Sequence, residues 1–115
     1  MVVCVCGSRS LAVDPSVVAA LVRRAFPGAS VLVSGGACGV DASVPAAAGL
    51  LGCRSVVLRP DYRLFGRRAP LVRDAAMVAR SAAVVALWDG VSRGTVFTVA
   101  EARRRGLPLT VFRSQ

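Results

Sequence analysis

Five short apolar runs recur along the chain, separated by longer segments of mixed polarity. They start at residues 2, 30, 55, 82 and 109, which places them 25 to 28 residues apart. Each is rich in Val and Leu and lacks polar alternation, a pattern typical of parallel strands covered on both faces. The spacing suits one strand plus one crossover helix. The five predicted strands are VVCVC (2–6), SVLVS (30–34), SVVLR (55–59), AAVVAL (82–87) and LTVF (109–112).

The segments between the runs carry helix signals. In DPSVVAALVRRAF, Asp14 is placed to cap a helix, and Pro15 takes its first position. VDASVPAAAGLLG is rich in Ala, and APLVRDAAMVARS places apolar residues near one side. TVFTVAEARRRG ends with three Arg, which suit the negative end of a helix dipole, followed by Gly106 as a C-cap. We therefore expect four helices.

Five strands alternating with four helices predict an α/β fold, a Rossmann-like doubly wound parallel five-stranded sheet. Right-handed crossovers with one reversal favour the strand order 3-2-1-4-5. We expect residues 1–115 to form a single domain of this kind. Ligands in such sheets bind beyond the carboxyl ends of the strands at the reversal, here between the first and fourth strands.

Composition narrows the class of protein. No apolar run approaches the roughly 20 residues of a membrane span, and the first residues, MVVCVC, lack the basic region of a signal peptide. We therefore expect a cytoplasmic protein with no membrane partner. The chain has no His and no C-x-x-C pair among its 4 Cys, which excludes His-dependent triads and predicts no metal site.

The net charge is +9, and all 15 basic residues are Arg. Arg binds phosphate in a planar fork that Lys cannot offer, so a basic surface attracts both nucleotides and nucleic acid. A solvated basic surface without a partner is the plain alternative.

Two glycine-containing loops follow the first two strands. In CGSRS, Gly7 allows a tight turn while Ser8 and Arg9 offer donors to phosphate; a plain turn explains the same residues. SGGACGVD carries Gly35, Gly36 and Gly39 before a helix N-terminus, where free N–H groups suit an anion. After these glycines, Asp41 either caps the helix or accepts a hydrogen bond from a ribose hydroxyl.

A third loop, WDGVSRGT at 88–95, follows the fourth strand. Gly90 and Gly94 surround the start of the last helix together with Ser92. Thr95 and Thr98 are one turn apart and can face one ligand. The alternative is a capping turn with Trp88 in the core.

The helix before the fourth strand adds Arg73 and Asp74 to this end of the sheet. A surface Arg is the simpler interpretation of Arg73. If the two side chains pair, the hold of Arg73 on a phosphate is reduced.

In order, these motifs are G-S-R, S-G-G-A-x-G-V-D, P-x-Y with G-x-x-A-x-x-x-R-[DN]-x-x-M, and W-D-G-x-S-x-G-T-x-x-T. The set resembles the SLOG superfamily of Rossmann-like proteins, in its short YspA/YpsA-related type, over roughly residues 3–112. Relatives include LOG phosphoribohydrolases, molybdenum-cofactor carrier proteins and the Rossmann domain of DNA-processing protein A. The resemblance implies a nucleotide or nucleotide-derived ligand. The matching positions are Gly7, Ser8, Arg9, Ser34, Gly35, Gly36, Gly39, Asp41, Arg73, Asp89, Gly90, Ser92, Gly94 and Thr95.

The chain departs from the LOG enzymes at their catalytic motif, P-G-G-x-G-T-x-x-E. Asp89-Gly90-Val91 replaces Pro-Gly-Gly, and Thr98 stands at the glutamate position. A hydroxyl cannot stabilise a ribosyl cation or handle a proton as a carboxylate does. Glu101, one turn further, suits a surface role. Catalytic residues stay unassigned, with Arg73 and Asp89 as the candidates.

These observations predict binding of a nucleotide or nucleotide-derived ligand at the reversal of the sheet, as a sensor or carrier. One alternative is a LOG-like nucleoside-monophosphate glycohydrolase, and the second is DNA binding as in DNA-processing protein A. Beyond the nucleotide no cofactor is predicted. By analogy with the relatives, we expect a homodimer in which the Ala-rich PAAAGLL helix packs closely.

Overall fold

Five parallel strands form one sheet in the computed structural model, which describes residues 1–114. The order β3-β2-β1-β4-β5 confirms the predicted 3-2-1-4-5 arrangement and its reversal between β1 and β4. In register, Cys4 of β1 lies between Val33 of β2 and Val84 of β4. The strands are β1 (Val2–Gly7), β2 (Val31–Ser34), β3 (Arg54–Val57), β4 (Ala83–Trp88) and β5 (Leu109–Arg113).

The four predicted helices are present, and a fifth short one was not predicted. Asp14 caps the first helix, since its carboxylate accepts the Ser16 N–H at 2.8 Å. The additional helix follows Asp61, whose side chain accepts the Leu64 N–H at 3.0 Å. It buries no residue and so leaves no apolar periodicity in the sequence. The helices are α1 (Pro15–Ala25), α2 (Val40–Leu51), α3 (Tyr62–Phe65), α4 (Ala69–Ala79) and α5 (Arg93–Arg104), with a 3₁₀ turn at Gly66–Arg68.

Side chains of β1 divide the core into two layers. Val3 and Val5 pack with the buried faces of α1 and α2. Cys4 and Cys6 pack on the opposite face with Met77 of α4. Burial raises the pKa of both thiols well above the ordinary value, so they remain protonated apolar fillers.

The prediction that all five strands are covered on both faces is wrong for the sheet edges. Arg54, Ser55 and Val56 of β3 are exposed, and β5 is only partly buried. The central strands are enclosed because helices pack on both of their faces, whereas an edge strand has a neighbour on one side only. Val and Leu content does not distinguish these two positions.

Within residues 1–114, no helix is long and apolar enough to cross a bilayer. The same residues contain no cluster of three or more His, Cys, Asp or Glu side chains suited to hold a metal ion.

Candidate functional site

Three loops meet at the carboxyl edge of the sheet and enclose an open cleft of about 440 Å³. The first loop (residues 8–14) follows β1, the second (35–39) follows β2, and the third (89–92) follows β4. The cleft lies at the reversal of the strand order, where doubly wound sheets bind ligands. It is lined by Cys6, Gly7, Arg9, Ser10, Ala37, Asp41, Pro70, Leu71, Arg73, Asp74, Met77, Asp89, Ser92, Gly94, Thr95 and Thr98.

Serine side chains of the first loop fasten it to the third. Ser8 is fully buried, and its hydroxyl accepts the Asp89 N–H at 2.9 Å. Its own N–H donates to the Leu87 carbonyl at 3.0 Å. Ser10 Oγ donates to Asp89 Oδ2 at 2.8 Å. Ser8 therefore joins the two loops without lining the cleft, while Arg9 and Ser10 lie on the cleft wall.

Asp89 organises the third loop. Its Oδ1 accepts the N–H groups of Val91 at 2.9 Å and Ser92 at 2.8 Å. The bond from Val91, the Ser10 hydroxyl and the bond from Ser92 together lower the Asp89 pKa to about 2. Asp89 is therefore ionised at neutral pH and carries no proton to donate as a general acid.

The N-terminus of α5 opens onto the cleft. Ser92 is the N-cap residue, yet its side chain makes no capping hydrogen bond. Thr95 Oγ1 donates to Ser92 Oγ at 3.3 Å, and Gly94 between them leaves open space where a Cβ would stand. One turn below, Thr98 Oγ1 donates to the Gly94 carbonyl at 3.1 Å. This arrangement combines the positive end of a helix dipole with two hydroxyls on one wall.

Arg73 holds the second loop in place from α4. The guanidinium donates to the Gly35 carbonyl at 2.6 Å through one terminal nitrogen and to Asp74 Oδ1 at 2.7 Å through Nε. Arg73 is only 9% exposed, so the surface interpretation is wrong. It does pair with Asp74, the alternative that reduces its hold on a phosphate. A Cβ on Gly35 would lie 2.6 Å from this guanidinium, so a larger residue there would displace Arg73 from the Gly35 carbonyl.

Asp41 lines the cleft from the first turn of α2. It is 7% exposed, and its Oδ2 accepts only a long 3.4 Å hydrogen bond from the Ala37 N–H. It does not cap α2, because Gly39 occupies the N-cap position with φ of 73°. Its Oδ1 is buried and, among residues 1–114, has no hydrogen-bond partner. Burial raises the pKa of Asp41, and likewise that of Asp74.

A second hollow of about 420 Å³, here called the arginine groove, adjoins the cleft. The two share Arg9 and Arg73, and the groove adds Arg59 and the 58% exposed Tyr62. No carboxylate lines the groove, whereas three line the cleft. Sequence reasoning singled out Tyr62 in the P-x-Y motif but missed Arg59 as a site residue. The basic and aromatic residues interleaved in RPDYRLF were the available signal.

The structure brings most of the predicted residues together. Those that line the cleft are Gly7, Arg9, Asp41, Arg73, Asp89, Ser92, Gly94, Thr95 and Thr98. Gly35 and Gly36 line the arginine groove instead. Ser8, Ser34, Gly39 and Gly90 line neither.

Trp88 braces the third loop rather than the cleft. Its indole N–H donates to the Ser92 carbonyl at 3.2 Å, and Arg113 lies 5.8 Å over its ring. Ser34 is fully buried, and its hydroxyl has no partner within the part of the chain described.

No protein-family model matches the chain, and no curated protein matches it either. Two solved structures share its fold. One is DNA processing protein A from Helicobacter pylori, described for its single-stranded DNA binding mode, with a TM-score of 0.74 and 20% identity over 100% of this chain and 66% of that one. The other is DNA processing protein A from Streptococcus pneumoniae, with a TM-score of 0.77 and 16% identity over 98% of this chain and 50% of that one. The chain therefore spans between half and two thirds of these proteins, and the likeness shows a common Rossmann-like fold.

Proposed function

We propose that this chain binds a nucleotide or nucleotide-derived ligand in the cleft, as a sensor or carrier of the SLOG type. The observation that carries the proposal is the uncapped N-terminus of α5, which presents Ser92, Gly94 and Thr95 to the cleft. Backbone N–H groups and hydroxyls at a helix N-terminus suit a phosphate.

The charges of the cleft indicate which groups would hold a phosphate. Asp41, Asp74 and the ionised Asp89 carry negative charge on the cleft walls and repel it. Arg9 and the free backbone N–H groups at the α5 N-terminus attract it. The apolar side chains of Pro70, Leu71 and Met77 offer a surface for the base.

The same geometry argues against LOG-like hydrolysis. Thr98 places a hydroxyl bonded to the Gly94 carbonyl where those enzymes carry glutamate. Asp89 is ionised and accepts hydrogen bonds from Val91, Ser92 and Ser10. Asp74 pairs with Arg73. Release of ribose 5-phosphate from any of the common nucleoside monophosphates would establish the glycohydrolase instead.

Single-stranded DNA binding is the second candidate, and the arginine groove favours it. Arg9, Arg59 and exposed Tyr62 offer phosphate contacts and a stacking face next to the cleft. The shared fold with DNA processing protein A of Helicobacter pylori adds support. Binding of this kind weakens steeply as salt rises, because counterions are released. Arg59→Ala would then reduce oligonucleotide affinity more than mononucleotide affinity.

Mass spectrometry of small molecules released from the purified, denatured protein identifies the ligand class directly. Titration calorimetry with the recovered compound, or with the common nucleoside monophosphates, then measures affinity. The double variant Ser92→Ala/Thr95→Val is expected to lose at least about tenfold in affinity, because two hydroxyl donors to a charged group are removed.

Thr110→Val is the matched control, since it removes a hydroxyl from β5 outside the cleft. Unfolding curves of both variants show whether the fold is kept. Undiminished nucleotide affinity in the folded double variant would show that the phosphate does not bind at the α5 N-terminus.

A further inference from the structure

We propose that residues 61–68, which include α3, and the hollow beside them form a docking surface for an acidic peptide segment of another protein. One large apolar side chain of the peptide enters the hollow, and carboxylates on either side of it pair with the surrounding arginines. This docking surface, here called the α3 surface, goes beyond the proposed nucleotide binding and does not depend on it.

The first support is the exposure of apolar side chains in α3. Every residue from 61 to 68 is exposed, although the run contains three large apolar side chains. Leu64 is 70% exposed, and Tyr62 and Phe65 lie beside it in the same short helix. The helix contributes no buried side chain to the core. Single exposed apolar residues are common, but a group of three on one short element is typical of an interaction site.

The second support is a hollow of about 160 Å³ between α3 and α4. Its apolar lining includes Leu58 after β3, Phe65 of α3, and Val72 and Ala76 of α4. A cavity of roughly 150 Å³ holds a benzene ring, so the hollow accommodates one Phe or Leu side chain. A phosphate backbone does not suit an apolar lining, and a bilayer has no projecting side chain to fill it. The hollow therefore favours a peptide.

The third support is the charge around this hollow. Arg59 and Arg80 line it, and Arg67 and Arg68 follow α3 in the 3₁₀ turn. None of these four forms an ion pair with another residue in the range 1–114. Asp61 also lines the hollow, but its side chain caps α3 by accepting the Leu64 N–H. Charge complementarity therefore calls for an acidic partner.

The same charges argue against a second copy of this chain as the partner. The chain has only 6 acidic residues against 15 Arg, and the acids are spread singly along the sequence. Asp41 and Asp74 are buried as well. A copy thus offers no acidic segment, and two α3 surfaces facing each other would bring like charges together. The occupant is a different protein.

The test measures binding of the fluorescein-labelled hexapeptides EDDFED and EDDLED to the whole chain by fluorescence anisotropy. We expect dissociation constants on the order of 10 µM. The peptide EDDSED lacks the apolar side chain, and QNNFQN lacks the charges. Each should bind at least about tenfold more weakly than EDDFED.

A variant that fills the hollow tests where the apolar side chain binds. Ala76 is exposed on α4, and Ala76→Leu should weaken EDDFED binding at least about tenfold because it occupies the hollow. Ala100→Leu is the matched control, since Ala100 is also exposed on a helix but lies outside this hollow. It should leave the affinity unchanged. Thermal unfolding verifies that both variants are folded.

A pair of double variants tests the charges. Arg67→Ser/Arg80→Ser should weaken EDDFED binding about fivefold or more. Arg23→Ser/Arg24→Ser removes the same charge from exposed positions of α1, which packs on the other face of the sheet. It should weaken binding by less than about twofold.

Failure of both Phe and Leu peptides to bind, equal binding of EDDFED and EDDSED, or equal losses in the two arginine variants would each overturn the proposal. If the peptides fail and Leu64→Ser abolishes sedimentation with phosphatidylserine vesicles, the α3 surface belongs to a membrane. If they fail and Arg67→Ser/Arg80→Ser abolishes binding of oligothymidine, it belongs to a nucleic acid. Either result would also refute the peptide.

Discussion

At the scale of single residues, side chains of the same type have different roles in and around the cleft. Ser8 and Ser92 both follow strands that end at the cleft, but Ser8 is buried as a tie to Asp89 whereas Ser92 faces the cleft. Asp41 and Asp89 are both acids of the glycine-containing motifs, yet burial raises the pKa of Asp41 and hydrogen bonds lower the pKa of Asp89. In each pair the residue type is the same and the sequence does not distinguish the two members. Their different roles come from the residues that pack around them.

Replacing Gly94 by alanine should change the stability of the fold and the affinity for a nucleotide in opposite directions. A methyl group there meets no atom within 4 Å, and Gly94 lies in the first turn of α5. Gly94→Ala should raise the free energy of unfolding by up to about 1 kcal/mol, because alanine is the better helix former. The same methyl stands on the cleft wall and should weaken nucleotide binding about tenfold, as measured by calorimetry.

Gly49→Ala in α2 provides the control, since its methyl also meets open space but lies outside the cleft. It should stabilise the protein without changing nucleotide affinity. Unchanged affinity in Gly94→Ala would show that the ligand does not approach this backbone.

Asp41 also imposes a pH dependence on stability. Its pKa is raised by burial above the ordinary 3.8, so the unfolded chain loses this proton first as pH rises. The folded state therefore loses stability as pH increases from about 4 through the raised pKa. Asp41→Asn removes this loss, and its advantage over wild type in free energy of unfolding should grow between pH 4 and pH 7. Urea denaturation across that range measures it.

Asp14→Asn should not show that growing advantage, because hydrogen bonds from Ser16 lower the Asp14 pKa. An Asp41→Asn difference that stays constant with pH would contradict the burial argument.

At the scale of elements, the site depends on contacts between segments that lie far apart in the chain. Arg73 of α4 holds the loop after β2, and Ser8 after β1 holds the loop after β4. The spacing of the apolar runs predicts the strands, and the segments between them predict four of the helices, because each element has its own pattern of apolar and capping residues. It does not predict α3, which buries nothing, or the exposure of β3 at the sheet edge.

Removal of the Arg73 side chain tests the hydrogen bond that joins α4 to the second loop. Arg73→Met leaves the Asp74 carboxylate buried without its partner and the Gly35 carbonyl without its donor. Breaking a buried ion pair in this way should lower the free energy of unfolding by about 3 kcal/mol. Urea denaturation followed by circular dichroism measures the loss.

Replacing Asp74 by Leu in the same protein should recover part of that loss, because the unpaired charge is removed. Arg104→Met is the control: its pair with Glu101 is exposed and should matter much less. A loss no larger than that of Arg104→Met would show that Arg73 does not support the second loop.

At the scale of the whole molecule, all five strands share one sheet, and we propose that residues 1–115 unfold as one cooperative unit. The net charge is +9, and the arginine groove contains only Arg9, Arg59 and Arg73 of the 15 Arg residues. The outer face of α2 is the surface on which the expected homodimer would form. Ala47 and Ala48 are buried within the chain, whereas Ala46, Gly49 and the 60% exposed Leu50 face outward.

Leu50→Arg should therefore convert the expected homodimer to a monomer, because a charge placed in a closely packed helix interface is costly to bury. Sedimentation velocity at micromolar concentration measures the change. Leu64→Arg is the control. Leu64 in α3 is also an exposed leucine, but it lies outside α2, so the substitution should leave the dimer intact. A monomeric wild-type protein would refute the dimer.

The sequence by itself determined the strand order, the placement of the three loops at one edge and nine of the residues that line the cleft, because apolar runs and glycine turns are local signals. Only the tertiary structure decided that Ser8 bonds to Asp89 rather than lining the cleft, that Arg73 donates to Gly35 and Asp74, and that one oxygen of Asp41 has no donor among residues 1–114. It also placed Arg59 beside the cleft. Burial, hydrogen bonding and charge at a side chain depend on which distant segments pack around it, and no window of the sequence contains them all.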